Sequence, residues 1–467
     1  MKFGGTSVQD AARIRAAVSI VQRHRDRQPV VVLSAIAGAT RELLTLATTA
    51  LEQGWQAACA PLASFENRHR GILADLGLDA AAEHQVGDTI TTYAEEIEEF
   101  LKGVALLKQL TRQTQDTILG YGERFSTLLF QAAAQSSGLD VETVDAATVM
   151  ITDARFRAAR PDRAELETRS AATILPIIAQ GRIPVTQGFI GATRDGIPTT
   201  MGFEASDYSA SLLGAALGAS EIQIWTDVAG MLTTGHTAVD DVKCVRELSF
   251  DEAAELSLFG AKVLHPKTVE PAIDRNIPVR IMHAANPDAP GTTITAAPTP
   301  TGVPVKSIAV KEQVTTLRMR PLSPTPRHVS LRVIAEIVDR YELSPILITT
   351  SGHRMAWVFD DPGLGAAADT SPALAAFGTH FDTICNPDCA IVSVVGEMTE
   401  RADGTLARAL GVLTDTTLHI ASHGASDTSL SFVMPRHETA HAVRKLHDEF
   451  FAGAALGGLF GPAEAPR

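Results

Sequence analysis

Short apolar runs alternate with longer helix-like stretches over roughly the first 290 residues of the chain. Four β-branched runs of strand length stand at residues 29–34, 139–144, 183–186 and 221–226. Strands that alternate with helices of crossover length predict a mostly parallel sheet with helices on both faces, and therefore an α/β fold. A helical block between about 41 and 131 is polar in places. We expect this block to pack outside the sheet.

The pattern changes after residue 292. Residues 292–305 are rich in Pro, Thr and small side chains, which is typical of an extended linker. Two units of similar layout follow. A β-α-β-β-α-β order that occurs twice predicts two small ferredoxin-like α+β modules, which could bind effectors or form a dimer. The expected division is a main domain at 1–292, a linker at 293–306, modules at 307–386 and 387–456, and a tail at 457–467.

Composition and charge narrow the classes of function. The chain has 467 residues, of which 45% are hydrophobic, and its formal net charge is −14. Such a chain can bury a large core, and its charge argues against a general nucleic-acid binder, which needs clustered positive charge. There is no secretion-type segment at the start and no run of about 18 apolar residues. Because four cysteines are too few for a disulfide framework, we expect a cytoplasmic protein with neither nucleic acid nor a membrane as a partner.

The first candidate for chemistry is the turn after the first strand. Gly4 and Gly5 lie there, beside Lys2 and just before a helix. Adjacent glycines let backbone N–H groups approach an anion, the helix start carries a partial positive charge, and lysine adds a full one. The alternative is an ordinary strand-to-helix turn in which Ser7 and Asp10 form a capping box. Taken alone, the turn favours this alternative, although a plain turn does not explain the lysine.

Further polar residues stand near other strand ends and glycines. Ser34 closes one strand and Thr226-Asp227 closes another, while Glu123 and Lys262 each lie close behind a glycine. Ligands of open α/β sheets bind outside the carboxyl ends of the strands. Each position has a structural alternative, such as a helix cap for Ser34 and a turn residue for Asp227. Taken together, they favour an enzyme that handles phosphate groups.

Nine segments carry a resemblance to a known family. In chain order they are KFGGTSV from residue 2, VVLSAIAGAT from 31, GERFS from 122, GFIGATRDGIPTT from 188, SDYSASLL from 206, IWTDVAGM from 224, ELSLFGAKVLHP from 255, NPDAPGT from 286 and ITTS from 348. The chain thereby resembles the aspartate kinases, which belong to the amino acid kinase family and carry two C-terminal ACT modules. The resemblance implies a mostly parallel sheet sandwiched by helices, the amino acid kinase fold, followed by two ferredoxin-like modules.

The resemblance implies an activity and its cofactors. The activity would be an ATP-dependent phosphoryl transfer from MgATP to the β-carboxylate of L-aspartate, giving 4-phospho-L-aspartate, the first step of lysine, threonine and methionine biosynthesis. ATP and Mg²⁺ are the expected cofactors, and no residue is assigned as a metal ligand. A carboxylate is already a nucleophile, so positioning and charge neutralisation suffice for catalysis.

The resemblance also assigns the residues of the site. The catalytic residues would be Lys2, Asp207 and Lys262, with both lysines neutralising the transferring phosphates. The nucleotide would contact Gly4, Gly5, Thr6, Thr226, Asp227 and Lys262. The amino acid substrate would contact Ser34, Thr40, Glu123 and Ser206, with Glu123 at its ammonium group.

Two arginines typical of the family are absent. Phe203 stands where the family carries the arginine expected at the substrate's α-carboxylate. Loss of one charge-assisted hydrogen bond costs about 1.5–3 kcal/mol, and Glu204 nearby would repel an anionic substrate. The position of Arg194 makes it a candidate replacement. Thr237 stands where the family carries a nucleotide-contacting arginine, and the adjacent His236 would be a weaker, pH-dependent substitute.

The C-terminal modules imply regulation. Family members bind an end-product amino acid there at a dimer interface, so we expect a homodimer through the ACT modules. An effector, lysine or threonine, would bind near Ser344, Thr350 and Ser351. Ile346 stands where lysine-sensitive members usually carry an aspartate, which weakens the case for lysine. Two other functions stay open, namely a family member with a different acceptor and an inactive amino-acid-sensing protein.

Overall fold

The computed structural model describes residues 1–202, 205–260, 266–299, 303–361, 364, 371–397, 404–424, 426–452 and 458–462. For residues 266–269 and 462 it describes the backbone alone. The strands up to residue 295 are β1 (Lys2–Phe3), β2 (Val31–Leu33), β3 (Val141–Val144), β4 (Ile183–Gln187), β5 (Ile190–Ala192), β6 (Pro198–Thr200), β7 (Ile222–Thr226), β8 (Lys243–Val245), β9 (Glu247–Ser249), β10 (Val279–His283) and β11 (Thr292–Thr295).

Eight of these strands form one sheet in the order β3-β4-β2-β1-β7-β10-β11-β9. Every neighbouring pair in it is parallel except β10 with β11. All of β2 is buried, as are the first four residues of β7. Parallel strands that helices cover on both faces read as continuous apolar runs. The prediction of a mostly parallel sheet is therefore confirmed.

The helices of this part are α1 (Ala11–Arg23), α2 (Ala39–Gln53), α3 (Trp55–Leu76), α4 (Ala80–Leu107), α5 (Arg112–Ser136), α6 (Ala146–Val149), α7 (Arg163–Ala179), α8 (Ser206–Leu217), α9 (Phe250–Leu258) and α10 (Pro266–Arg275). Helix α5 packs against β2, β3 and β4, whereas α8 packs against β1, β2 and β7 between α7 and α10. The prediction that the block at 41–131 lies outside the sheet is wrong for α5, because small residues such as Gly122 let it approach β2 and the residues that follow. Among the residues described, no helix combines the length and apolar character needed to cross a bilayer.

A second, six-stranded antiparallel sheet follows. Its strands are β12 (Ser307–Pro321), β13 (Pro345–Ser351), β14 (Arg354–Phe359), β15 (Phe381–Val395), β16 (Ile420–Ser422) and β17 (Ser429–Pro435), with helices α11 (Arg327–Arg340), α12 (Pro372–Gly378), α13 (Thr405–Val412) and α14 (Thr439–Phe451). The order β13-β14-β12-β15-β17-β16 places the long strands β12 and β15 side by side at its centre. Separate apolar clusters surround Trp357 and Phe432, so each half has its own core.

Three details differ from the predicted organisation. Residues 292–295 are not linker but strand β11, which pairs with β9 and β10. The predicted tail includes β18 (Phe460–Pro462), which pairs with β8 and so returns the chain to the first domain. Strand β15 runs without a break across the predicted boundary at 386, so the two modules share one sheet. The remaining domain limits stay predictions.

Candidate active site

Four adjacent strands end at one edge of the parallel sheet. Lys2 of β1 pairs in register with Val32 of β2 on one side and with Ile224 of β7 on the other. Because parallel strands point the same way, the residues that follow them meet outside their carboxyl ends. The glycine turn after β1, the segment after β2, Gly188 after β4 and the end of β7 therefore share one edge of the sheet.

The glycine turn after β1 is tightly held. The Gly4 N–H donates to the Trp225 carbonyl oxygen at 3.0 Å, and the Ser7 hydroxyl donates to the same oxygen at 3.2 Å. A Cβ atom on Gly5 would lie 2.6 Å from the carbonyl oxygen of Ala35, so only glycine fits there. The turn thereby fixes β1 against β7 and the β2 segment.

The proposed capping box at this turn is wrong. Residues Gly5–Val8 form a short 3₁₀ helix, and α1 begins only afterwards. Asp10 is the N-cap of α1, where its carboxylate accepts a hydrogen bond from the Arg13 N–H at 2.9 Å. The Ser7 hydroxyl binds the Trp225 carbonyl instead. The cap is thus one ordinary N-cap residue placed after the turn.

Lys2 and Asp207 form an ion pair over the turn. Their Nζ and Oδ1 atoms lie 2.5 Å apart, and the side chains are 9% and 13% exposed. A Cβ atom on Gly4 would lie 3.6 Å from the Lys2 Nζ, so the ammonium group sits directly beside the glycine turn. Asp207 lies in the first turn of α8. The pair places a buried positive charge where backbone N–H groups and strand ends converge.

Glu123 has a buried carboxyl group in which only one of the two oxygen atoms has a hydrogen-bond partner among the described residues. Its Oε1 accepts a hydrogen bond from the Ala35 N–H at 3.1 Å, whereas Oε2 is buried and has no hydrogen-bond partner among the described residues. Burial raises the pKa of the Glu123 carboxyl to about 8, although the Ala35 N–H and the charge of Lys2 act in the opposite direction. A buried acceptor without a donor is costly, so this geometry points to a ligand that brings a donor.

Helix α5 holds the segment after β2 in place through a hydrogen bond. The Ser126 hydroxyl donates to the Ser34 carbonyl oxygen at 2.7 Å, and the Ser34 N–H donates to the Phe3 carbonyl oxygen at 3.2 Å. Helix α2 begins at Ala39 after Gly38, so Ser34 does not cap it. The structural alternative for Ser34 is therefore excluded. Thr40 lies half-buried in the first turn of α2.

Two further strand ends contribute. A Cβ atom on Gly188 would lie 2.6 Å from the Cβ of Ser206, so α8 starts in direct contact with the residue after β4. At the end of β7 the Thr226 hydroxyl donates to the Asp227 carboxylate at 3.1 Å, and Asp227 is exposed. Lys262 lies outside the described residues. The structure thus brings every other predicted site residue of the first domain to one edge of the sheet.

Comparison with known proteins bears on this geometry. Residues 1–283 match the model of the amino acid kinase family, and residues 392–450 match that of an ACT domain. The chain is 33% identical to the lysine-sensitive aspartokinase 3 of Escherichia coli (strain K12), over 96% of this chain and 98% of that one. It is 32% identical to the chloroplastic aspartokinase 1 of Arabidopsis thaliana, over 98% of this chain and 81% of that one. The chain belongs to the aspartokinase family.

Solved structures of the aspartokinase family agree with this assignment. The crystal structure of E. coli aspartokinase III in complex with aspartate and ADP (R-state) matches with a TM-score of 0.85 at 33% identity, covering 96% of this chain and 99% of that one. The same enzyme in complex with lysine and aspartate (T-state) matches with a TM-score of 0.80. The expected fold, the aspartate kinase activity and the ATP-dependent phosphotransferase class are confirmed.

Neither candidate replacement for the family's missing arginines lies at this edge. Arg194 is 64% exposed and pairs at the start of α7 with Asp162 at 2.8 Å and Glu165 at 3.1 Å. The Nδ1 atom of His236 accepts the Ala238 N–H at 3.0 Å, and its Nε2 lies 3.5 Å from the Glu312 carboxylate of β12. Arg194 is thus held by α7, and His236 faces the second sheet rather than the end of β7. Phe203 and Glu204 lie outside the described residues.

One buried carboxylate near the site was not predicted. Asp116 of α5 is 1% exposed and accepts three hydrogen bonds, from the Arg157 N–H and the Thr200 N–H at 2.9 Å each and from the Thr200 hydroxyl at 2.6 Å. It lies almost two turns before Glu123 on the same helix, so the two carboxyl groups share a face of α5. The sequence around Asp116 resembles an ordinary helix start and contains no motif that would have marked it.

Proposed function

We propose that the edge formed by β1, β2, β4 and β7 binds ATP and L-aspartate together and transfers the γ-phosphoryl group to the β-carboxylate. The observation that carries this proposal is the unsatisfied Oε2 of Glu123, close to the buried Lys2–Asp207 pair and the glycine turn. An anionic carboxylate acceptor and a cationic ammonium group on one small molecule match these two features. Electrostatic positioning then supplies the catalysis.

The phosphate side of the site is built from backbone and lysine. The N–H groups of Gly5 and Thr6 and the ammonium group of Lys2 would face the phosphates, because the turn between β1 and α1 has no side chain in the way. Lys262 would add a second positive charge from the segment before α10. Neither lysine would need to move a proton, since the attacking carboxylate is already ionised. Their role is to neutralise charge on the phosphoryl group as it transfers.

The substrate side is built around Glu123. Its Oε2 would accept a hydrogen bond from the substrate's ammonium group, which satisfies the buried atom. Ser34, Thr40 and Ser206 stand around the same edge and offer hydroxyl groups. Asp207 would keep Lys2 oriented until ATP arrives, and the incoming phosphates would then compete for the same ammonium group. Glu123 therefore selects amino acids over simple dicarboxylates.

Mg²⁺ would enter with ATP. The described residues contain no group of three or more His, Cys, Asp or Glu side chains able to hold a metal ion. Mg²⁺ that binds together with a nucleotide is usually coordinated by phosphate oxygens and water, with one or two carboxylates from the protein. Asp207, whose side chain is 13% exposed and pairs with Lys2 beside the glycine turn, is the residue we assign to that contact. When bound, the ion would supply charge neutralisation during phosphoryl transfer.

The function is tested by measuring ADP release across a panel of acceptors. We expect L-aspartate to support turnover with ATP and Mg²⁺, and L-glutamate, carbamate and phosphate to support far less. Comparable turnover with another acceptor would establish the different-acceptor function. ATP binding without turnover on any acceptor would establish the sensing function.

The raised pKa of Glu123 predicts a pH-dependent affinity for aspartate. The folded pKa of about 8 means that the free carboxyl is mostly protonated at neutral pH, whereas an ammonium ligand needs the carboxylate. The KM for aspartate should therefore fall about tenfold per pH unit from about pH 6 to 8 and level off above that, while the KM for ATP stays constant. Steady-state kinetics measure both values. The variant Glu123→Gln should lose this slope, and a flat profile in the unmodified protein would contradict the assignment.

The effector residues predicted in the first module lie at two ends of strand β13 within one chain. Thr350 and Ser351 line a cavity of about 310 Å³ on the second sheet. Ser344 precedes β13 at the opposite end of that strand, and at about 3.3 Å per residue it lies roughly 20 Å away. One amino acid cannot touch both ends within one chain. We propose that an effector, if it binds one chain, occupies the cavity at Thr350 and Ser351. A homodimer through these modules stays a prediction.

The charge of this cavity disfavours lysine. Its charged lining residues are Arg318, Arg320, Arg354 and Asp382. Arg320 pairs with Asp382 at 3.1 Å, whereas Arg318 and Arg354 have no ion-pair partner in the described part of the chain. Two guanidinium groups favour a carboxylate and repel a second ammonium group. An amino acid with an uncharged side chain therefore fits this cavity better than lysine does.

We expect threonine to bind this chain more tightly than lysine does. Calorimetric titration of the full chain with each amino acid measures the difference, and the double variant Arg318→Ala with Arg354→Ala should abolish threonine binding. Arg332→Ala on the exposed face of α11 serves as a control that removes an arginine elsewhere on the same module. Lysine binding that is tighter than threonine binding and survives the double variant would contradict the charge argument.

A further inference from the structure

Six residues other than glycine adopt a left-handed φ in the described part of the chain. They are Gln28, Lys108, Arg157, Phe189, Asn276 and Glu342. Four of these lie within two residues of the end of an α- or 3₁₀ helix, where such a conformation is common. The other two, Phe189 with a φ of 64° and Arg157 with a φ of 75°, lie in loops beside the candidate active site. Residues held in this region without a helix end to explain them cluster at functional sites.

The conformation of Arg157 is enforced by a buried carboxylate. Asp116 accepts the Arg157 N–H at 2.9 Å, and it also binds the N–H and hydroxyl of Thr200 at the end of β6. The Ala159 N–H donates to the Thr200 carbonyl oxygen at 3.0 Å, which ties the same loop to β6 a second time. The backbone of Arg157 is therefore fixed, and its half-buried side chain starts from a defined point.

Both strained residues converge on one short segment. The Met201 N–H donates to the Phe189 carbonyl oxygen at 3.1 Å, and a Cβ atom on Gly202 would lie 3.5 Å from the Arg157 carbonyl oxygen. Gly202 leads into α8, whose first residue touches Gly188 at the end of β4. Arg157 is thus anchored beside Gly202, in the segment that precedes α8.

Charge explains why an arginine at this place matters. Aspartate carries two carboxylates, and only its β-carboxylate would face Lys2 and the phosphates. Neither Phe203 nor Glu204, which follow Gly202, carries a positive charge. The guanidinium of Arg157 now donates to the Gln115 side chain of α5, the helix that also carries Glu123. Another rotamer of this side chain would direct the guanidinium along α5 toward a ligand held at Glu123.

We propose that Arg157 binds the α-carboxylate of the amino acid substrate and so sets the specificity for aspartate. The inference rests on the proposed function, because it assumes that aspartate lies between Glu123 and Lys2. A guanidinium can bind a carboxylate through two parallel hydrogen bonds. Asp116 acts as a positioning residue that holds the Arg157 backbone and β6 together.

The variant Arg157→Gly tests this directly, because glycine accepts the left-handed backbone and only the guanidinium is lost. We expect the KM for aspartate to rise about 10- to 100-fold, the usual effect of losing a charged hydrogen bond, with the KM for ATP and the melting temperature unchanged. Arg157→Lys should restore only part of the affinity. Arg155→Ala, an exposed arginine in the same loop, is the matched control and should leave both KM values unchanged.

A second substrate separates a direct contact from an indirect one. β-Alanine is aspartate without the α-carboxylate, so it should be a poor acceptor for the unmodified protein and should be affected little by Arg157→Gly. Equal loss with aspartate and β-alanine would mean that Arg157 only shapes the pocket, and an unchanged KM for aspartate would overturn the inference. If the unmodified protein makes no acyl phosphate from aspartate, the proposed function itself fails, which is a different result.

Discussion

Replacing Lys2 by methionine should lower kcat by about 100- to 1,000-fold, the usual effect of removing one charge-stabilising group from a transition state. The Lys2 ammonium group lies beside the glycine turn, where the phosphates would bind, and its low exposure leaves little water to take its place. The KM for aspartate should change less, because the ammonium group of aspartate would bind to Glu123 and not to Lys2. Steady-state kinetics with ATP and aspartate measure both constants.

The same variant leaves Asp207 as a buried charge without its partner, so lower activity could also come from poor folding. The double variant Lys2→Met with Asp207→Asn removes the uncompensated charge. We expect it to regain the melting temperature of the unmodified protein and to stay inactive. A double variant with restored stability and normal kcat would show that Lys2 serves only the fold.

Replacing Lys306 by methionine should lower the free energy of unfolding by about 3–5 kcal/mol, because it leaves a carboxylate buried without its counter-charge. The Lys306 Nζ lies 2.7 Å from the Glu252 Oε2, and both side chains are 2% exposed. Glu252 belongs to α9 of the kinase domain, and Lys306 directly precedes β12 of the regulatory sheet. Urea unfolding monitored by tryptophan fluorescence measures the loss.

The control for this pair is the double variant Lys306→Met with Glu252→Gln, which keeps the side-chain acceptor for the Ser249 N–H at the start of α9. It should recover most of the stability, since no charge remains buried. The segment after α9 also packs against β12, where a side chain on Gly260 would overlap the Val310 carbonyl. We therefore expect both variants to weaken inhibition by an effector. A single variant that loses less than about 1 kcal/mol would contradict a dry ion pair.

The parallel sheet was predictable because strands such as β2 and β7 are apolar along their length. The place of α5 was not, since small residues such as Gly122 stand among the side chains that it turns to the sheet. A Cβ atom on Gly122 would lie 2.9 Å from the Cβ of Ala35. Small residues that allow such a close contact add little to the hydrophobic pattern of the sequence, so the pattern did not indicate this contact. Strand β11 was mistaken for linker because its threonines resemble the polar, proline-rich residues that follow.

The active-site residues likewise divide into those that the sequence predicted and those that it did not. Lys2, Glu123 and Asp207 lie in motifs that the resemblance identified, and the structure gathers them at one edge of the sheet. Asp116 and Arg157 lie in no such motif. Their hydrogen bond joins residues 41 positions apart, and the left-handed φ of Arg157 depends on that bond. Only the folded chain shows that the strained arginine stands beside Gly202.

The central claim is that the Glu123 carboxylate binds the ammonium group of L-aspartate while the Lys2 ammonium group neutralises the phosphates. The β-carboxylate is then placed to form an acyl phosphate. Trapping with hydroxylamine in the presence of ATP and Mg²⁺ tests it most directly, with succinate as the comparison because it lacks the ammonium group. We predict an acyl hydroxamate from L-aspartate and at least about 100-fold less from succinate at equal concentration. Equal amounts from both acids, or none from aspartate at saturation, would contradict the account.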